Sequence, residues 1–117
     1  MQMHEITFTQ ATPIDGYGPG FFRVGGNVIN GGILVTALGA WPWAGLDASD
    51  PLIALAHEID VLFIGTGADV AHIPSALRDR LEAAGLGVET MASPAACRTY
   101  NVLLSEGRRV ALAALPV

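Results

Sequence analysis

The sequence predicts an α/β domain in which an N-terminal β-meander precedes a half where strands and helices alternate. The chain has 117 residues, which suits a single domain spanning residues 1–117. Its hydrophobic fraction of 51% supplies enough apolar surface for a core and argues against disorder. In the second half, short apolar runs alternate with amphipathic segments of helix length, and that order indicates a largely parallel sheet.

The first third of the chain has the pattern of short strands joined by glycine-rich turns. Residues 4–11 alternate in polarity and are rich in Ile, Thr and Phe, which is typical of a strand. Residues 15–20 contain three glycines and a proline and are predicted as a loop. Residues 21–24 and 28–29 are short predicted strands around a glycine turn, and residues 33–38 form a longer strand.

About three helices are predicted in the second half, each with a proline in its first turn. Asp50 is predicted to cap the first helix, and Pro74 to begin the second. Ser93 is predicted to cap the third helix, which reaches about Leu104. Glycines end the second and third helices, because glycine readily adopts the left-handed conformation that follows a helix.

Buried strands are predicted between these helices. Residues 59–65 form a compact apolar run that ends in glycine, which is typical of a strand buried on both faces. Residues 88–91 and 109–115 follow the second and third helices and are predicted as two further strands.

The charge of the chain excludes several classes of function. The formal net charge is −5, and all six basic residues are arginines. Without lysine the chain cannot form a Schiff base, attach pyridoxal phosphate or build a Walker A loop. An acidic chain without a basic stripe also lacks the cation–phosphate contacts on which nucleic-acid binding depends. No nucleic-acid partner is therefore expected.

No segment of the sequence predicts export or membrane insertion. Residues 1–10 lack a basic region followed by an apolar run, so they do not resemble a signal peptide. The apolar stretch at residues 31–43 is interrupted by glycine and proline and is too short to span a bilayer. The single cysteine excludes an intramolecular disulfide, and the expected location is the cytoplasm.

No complete catalytic or metal-binding set is apparent in the sequence. Cys97 lies among apolar residues at helical spacing, which favours a small buried hydrophobe over a nucleophile. His4, His57 and His72 do not have the spacing of a metal-binding pair on a helix. No Gly-x-Ser-x-Gly motif occurs either. No catalytic residue, metal or cofactor is therefore assigned.

One candidate ligand site lies at the turn after the strand predicted at residues 59–65. Gly65-Thr66-Gly67 stands where phosphate-binding loops follow buried strands, but Val70 occupies the place of the third glycine in the dinucleotide pattern. A tight structural turn is the favoured interpretation. Arg98 could pair with Glu106 or Asp69, or it could hold an anion. Asn101 could instead satisfy neighbouring loop backbone. The candidate anion-binding residues are Gly65, Thr66, Gly67, Asp69, Arg98 and Asn101.

Aromatic residues are concentrated near the glycine-rich loops. Core packing is the first interpretation of this concentration. A partner-binding patch is the alternative, because exposed aromatic side chains anchor protein interfaces. The candidate patch residues are Tyr17, Phe21, Trp41 and Trp43.

Several blocks of the sequence match, in order, those of a known family. Residues 91–115 include the fairly specific blocks Thr99-Tyr100-Asn101 and Glu106-Gly107-Arg108, and residues 62–67 and 85–89 precede them. Over nearly its whole length the chain resembles the Mth938-like (DUF498) domain family. The resemblance implies a three-layer α/β fold with a central mixed β-sheet. Eukaryotic members of that family include a mitochondrial assembly factor for respiratory complex I, and no established catalytic residues carry over.

Two hypotheses about function follow. The leading one is a non-catalytic protein-interaction or assembly-factor module with an unidentified protein partner, linked to respiratory-complex assembly. The alternative is a small anionic-ligand-binding protein or unassigned enzyme with its site at the 65–67 turn and Arg98. A homodimer formed through the apolar strands is a third option that the sequence leaves open.

Overall fold

The computed structural model describes residues 13–117, and the strand predicted at residues 4–11 lies outside them. The described residues form eight strands and three helices. The strands are β1 (Ile14–Gly18), β2 (Phe21–Val24), β3 (Asn27–Asn30), β4 (Gly32–Thr36), β5 (Gly39–Trp43), β6 (Val61–Thr66), β7 (Gly87–Met91) and β8 (Val110–Leu115). The helices are α1 (Asp50–Ile53), α2 (Ser75–Ala83) and α3 (Ser93–Ser105). The predicted alternation of helices with β6, β7 and β8 is confirmed.

A five-stranded sheet in the order β5-β4-β8-β6-β7 forms the centre of the fold. Helices α2 and α3 return the chain to the same end of this sheet, so β6 is parallel to both β7 and β8. Strand β8 is antiparallel to β4, which forms a hairpin with β5. The sheet is therefore mixed, as the family resemblance implied. The meander strands β1, β2 and β3 form a separate antiparallel sheet.

The central sheet has an apolar core on each face. Val110, Leu112 and Ala114 of β8 belong to the core shared with α3 and the small sheet. Ala111 and Ala113 belong to the core shared with α1 and α2. This alternation follows from the two-residue period of a strand, and it buries both faces of β8. Elements packed on both faces of the sheet produce the three-layer α/β fold.

Two strands of the fold differ from the prediction, because strand pairing overrides local glycine and proline signals. Residues 15–20 are predicted as a loop, but most of them belong to β1, which pairs with β2 and carries an irregularity between Ile14 and Gly16. The sequence does not predict β5, since Pro42 interrupts it. An edge strand tolerates this proline because only one side of its backbone forms hydrogen bonds with a neighbouring strand.

The polar residues predicted to cap α1 and α3 have other roles. Asp50 and Ser93 are the first residues of their helices, and the N-cap positions are Ser49 and Ala92. The Asp50 carboxylate accepts a hydrogen bond from the Arg80 guanidinium at 2.8 Å. Both side chains thus serve contacts with distant parts of the chain. Helix α1 has only four residues, so it is shorter than the predicted helix.

Candidate functional site

The carboxyl ends of the three parallel strands lie at one edge of the central sheet. Those ends are Thr66 in β6, Met91 in β7 and Leu115 in β8. Ligands of open α/β sheets commonly bind at this edge. The loop with Gly67 and Asp69 follows β6 here. The structure therefore places the glycine turn and its aspartate where the anion-site hypothesis needs them.

Ser93 connects the strand ends at this edge, a role that the sequence does not indicate. Its side chain is fully buried at the start of α3. The Ser93 hydroxyl donates a hydrogen bond to the Leu115 carbonyl at 2.6 Å and accepts one from the Gly67 N–H at 2.9 Å. The Ser93 N–H donates to the Gly67 carbonyl at 2.7 Å. One residue therefore links the ends of β6 and β8 to α3.

Gly65 allows β6 and α3 to approach closely. A Cβ atom at this position would lie 2.6 Å from Ser93 Oγ and 2.9 Å from Ser93 Cα, which is closer than side chains tolerate. This packing explains the glycine without any ligand. The sequence contains one signal that could have predicted this contact: a glycine at the end of a strand (Gly65) and a small residue at the start of a later helix (Ser93).

The Thr66 hydroxyl closes the loop that follows β6. It lies 2.8 Å from the Asp69 carbonyl oxygen and 3.2 Å from the Met91 carbonyl oxygen. It also accepts a hydrogen bond from the Ala71 N–H at 2.9 Å. The Gly67 N–H is bonded to Ser93, so this N–H and the Thr66 hydroxyl already have partners within the chain. The turn is packed and hydrogen-bonded.

The two candidate residues on α3 do not join this turn through hydrogen bonds. The Asn101 side chain accepts a hydrogen bond from the Ile14 N–H at 2.8 Å and donates one to the Ile14 carbonyl at 2.9 Å, so it fastens the small sheet to the helix. The Arg98 side chain is exposed, and its guanidinium forms no hydrogen bond or ion pair with residues 13–117. It follows Ser93 by five residues, or about 7.5 Å along the helix axis.

The four candidate aromatic residues differ in exposure. Trp43 is only 4% exposed, belongs to the core beneath α1 and α2, and donates its indole N–H to the Ala48 carbonyl at 3.1 Å. It is therefore not available to a partner, which agrees with the core-packing interpretation and removes Trp43 from the candidate patch. Tyr17 is 42% exposed, Trp41 is 46% exposed, and Phe21 is half-buried. Of the two tryptophans of β5, only Trp43 belongs to this core.

The exposed aromatic residues do not form one patch. Trp41 pairs with Leu34 across the β4–β5 hairpin, so both side chains lie on the sheet face that packs against α1 and α2. Tyr17 and Phe21 belong to the small sheet, whose buried residues pack against the opposite face. The central sheet therefore lies between Trp41 and the other two.

Cys97 is buried in the core beneath α3. Burial raises the pKa of its thiol to about 11, and the nearby positive charge of Arg98 offsets only part of this effect. Such a thiol is a packing group rather than a nucleophile. In the described part of the chain, no three His, Cys, Asp or Glu side chains are placed to hold a metal ion. No helix within residues 13–117 has the length and apolar character needed to cross a membrane.

Comparison of the sequence with known proteins identifies relatives over almost the whole chain. The model of a family described as "Protein of unknown function (DUF498/DUF598)" matches residues 14–115. An uncharacterized protein of Rhodobacter capsulatus is 53% identical over 117 residues, which is 100% of this chain and 94% of that protein. The zebrafish (Danio rerio) NADH dehydrogenase [ubiquinone] 1 alpha subcomplex assembly factor 3 is 31% identical over 112 residues, or 90% of this chain and 64% of that protein.

Solved structures with the same fold include those of two bacterial proteins. A crystal structure described as an outer membrane protein from Bartonella henselae has 34% identity and a TM-score of 0.83, and the match covers 91% of this chain and 95% of that one. A Bordetella pertussis protein described as a Mth938-like domain has 27% identity and a TM-score of 0.76, with 92% and 87% covered. These similarities confirm the predicted Mth938-like architecture.

Proposed function

This chain belongs to the DUF498 family, and on that premise we propose that it is a non-catalytic protein-interaction module that assists the assembly of a respiratory complex. The zebrafish relative named as an assembly factor of NADH dehydrogenase supports this role. This chain spans 64% of that relative's length, so the matched domain is the part that can carry the shared activity. We also propose a cytoplasmic location, because a chain with a single cysteine has no intramolecular disulfide to maintain and suits a reducing compartment.

The observation that carries the proposal is the exposure of Trp41. This side chain lies on the edge strand β5 and is 46% exposed, while exposed Leu38 stands in the turn before that strand. A tryptophan buried by a partner contributes more binding energy than most other residues do. Together, Trp41 and Leu38 give a partner protein an apolar anchor point at one end of the sheet. Tyr17 and Phe21 stand on the small sheet as a second candidate contact.

The alternative, an anion site at the 65–67 turn, has weaker support. Thr66 and Gly67 use their hydroxyl and N–H groups in bonds to the chain itself, and Asn101 is bonded to Ile14. An anion would have to displace those bonds to be held. Arg98 is the group that favours this alternative, because it has no ion-pair partner among residues 13–117. Titration with inorganic phosphate, monitored by the backbone amide chemical shift of Gly67, separates the two proposals. A shift that saturates with phosphate supports the anion site, and an unchanged shift contradicts it.

The proposal is tested by replacing Trp41 with alanine in the native cell. We expect Trp41→Ala to reduce recovery of the respiratory-complex partner and accumulation of the complex. The free energy of unfolding should fall by about 1–2 kcal/mol, less than for a fully buried tryptophan, because the rest of the chain covers about half of the Trp41 surface. Val70→Ala is the matched control, since Val70 is exposed but lies in the loop after β6.

A second tryptophan substitution separates loss of binding from loss of folding. Trp43→Ala removes a buried side chain and should cost about 3–5 kcal/mol of stability. If partner recovery falls for Trp43→Ala but is unchanged for Trp41→Ala, the exposed anchor has no role. Unchanged assembly of the complex in cells that lack this protein would contradict the function itself.

A further inference from the structure

The two edges of the five-stranded sheet differ in their ability to accept another strand. Strand β5 carries Pro42, which has no N–H to donate, and proline is a common means of preventing edge-to-edge pairing. Strand β7 (Gly87–Met91) contains no proline, and among the strands of residues 13–117 it pairs with β6 alone. The β7 edge is therefore the side at which the sheet can be extended.

Hydrogen bonds already made by β7 show which of its backbone groups point outward. The Gly87 N–H donates to the Asp60 carbonyl at 3.0 Å, and the Met91 carbonyl lies 3.2 Å from the Thr66 hydroxyl, so both residues point toward β6. Because these directions alternate along a strand, Val88 and Thr90 direct their N–H and carbonyl groups to the open edge.

The environment of the Val88 carbonyl agrees with this assignment. Its oxygen lies 3.5 Å from Arg78 Nη1 of α2, at the limit of a hydrogen bond. An incoming N–H can displace or share so long a contact, since a carbonyl oxygen has two lone pairs.

A small cavity lies beside the same strand. It has a volume of about 270 Å³ and is lined by Arg98, Thr99, Val102 and Leu103 of α3. The Thr99 hydroxyl is 3.6 Å from Met91 Sδ, which places this side of α3 against β7. The cavity is open to solvent and lined by one face of α3, so it can receive a side chain projecting from an added strand.

Glu89 determines which strand fits. It is exposed and pairs in register with Phe63, so its side chain lies on the sheet face covered by α3. A second copy that paired antiparallel through Val88 and Thr90 would place two Glu89 carboxylates opposite each other, and like charges in that position are destabilising. A basic side chain opposite Glu89 is instead favourable, because Glu89 has no ion-pair partner among residues 13–117.

We propose that the β7 edge binds an extended basic segment of a partner protein as a sixth strand. The segment carries a lysine or arginine opposite Glu89. Two residues away it carries an aliphatic residue, opposite Met91 and beside the cavity. This inference rests on the protein-interaction function proposed above and names the chemistry of the partner.

The test uses two peptides and two forms of the full chain. The probe is acetyl-Thr-Leu-Thr-Lys-Thr-Leu-Thr-amide, whose symmetry presents a leucine two residues from the lysine in either strand direction. The matched peptide has glutamate in place of lysine. We expect the wild-type chain to bind the lysine peptide roughly fivefold more tightly. Glu89→Lys should reverse this preference, whereas Glu106→Lys, the same charge change at the end of α3, should leave it intact.

Amide chemical shifts and hydrogen exchange locate the binding. The lysine peptide should slow exchange at Val88 and Thr90 and shift Thr99. The inference is overturned if neither peptide binds, if Glu89→Lys leaves the preference unchanged, or if the affected amides lie elsewhere. It is also overturned if the free chain already pairs this edge with a second copy or with residues 1–12. None of these outcomes depends on Trp41, so loss of the proposed assembly role would be seen separately in the cell-based test.

Discussion

Ser93→Ala is the substitution that most directly tests how the strand ends are held together. It removes one oxygen atom from a fully buried side chain and leaves the backbone free to stay in place. Two groups lose their partner: the Gly67 N–H, at 2.9 Å, and the Leu115 carbonyl, at 2.6 Å. The expected loss of stability therefore comes from unsatisfied polar groups rather than from a cavity.

The size of this loss follows from the burial of the two groups. Gly67 is buried, so its unpaired N–H should cost about 1–3 kcal/mol. Leu115 is half-buried, so water can reach its carbonyl and the cost there should be about 1 kcal/mol. The sum is about 2–4 kcal/mol, a large share of the roughly 5–15 kcal/mol that stabilises a domain. With a urea m-value of about 1.5 kcal/mol/M, the unfolding midpoint should fall by about 2 M.

Urea unfolding followed by circular dichroism measures the effect. The matched control is Ser105→Ala in the same helix, because the Ser105 hydroxyl donates to the Val102 carbonyl at 2.7 Å but is exposed. The control should change the unfolding free energy by less than about 0.5 kcal/mol. Equal effects of the two substitutions would refute the reasoning, since they would mean that burial does not determine the value of the Ser93 bonds.

Three further predictions test the packing around this framework. Gly65→Ala should destabilise the fold by about 1–3 kcal/mol in urea unfolding through overpacking, whereas Gly16→Ala, with no atom within 4 Å of its added methyl, should have little effect. Asn101→Ala should lower the free energy of unfolding by about 1–3 kcal/mol and speed hydrogen exchange at Ile14. Unchanged exchange would contradict the role of Asn101 in holding the small sheet to α3. Because burial raises the pKa of Cys97 to about 11, stability should decline as pH rises from 9.0 toward 11, and Cys97→Ala should remove this decline.

Much of the fold could be predicted because its signals are local. The apolar run of β6, the proline at the start of α3 and the left-handed Gly85 after α2 each depend on a few neighbouring residues. Strand β5 and the paired glycine segment of β1 could not be predicted in this way. Their stability comes from partners elsewhere in the chain, and those partners outweigh the local effects of Pro42 and glycine.

The candidate site shows the same division. The sequence indicated that the 65–67 turn follows a buried strand, and it does. It could not indicate that Ser93, 26 residues after Gly67, would use the turn's N–H, or that Asn101 would bind a residue 87 positions away. Nor could it separate exposed Trp41 from buried Trp43, because their local sequences are nearly alike.

The amino-acid sequence by itself determined the alternation of strands and helices in the second half, the apolar content of the core and the absence of lysine chemistry, since each depends on composition or on short-range periodicity. The tertiary structure decided which polar groups are already bonded, which aromatic side chain reaches solvent and, among residues 13–117, which strands stand at the edges of the central sheet. The physical reason is that burial and hydrogen bonding depend on residues brought together from distant parts of the chain. Local sequence patterns do not predict those long-range contacts.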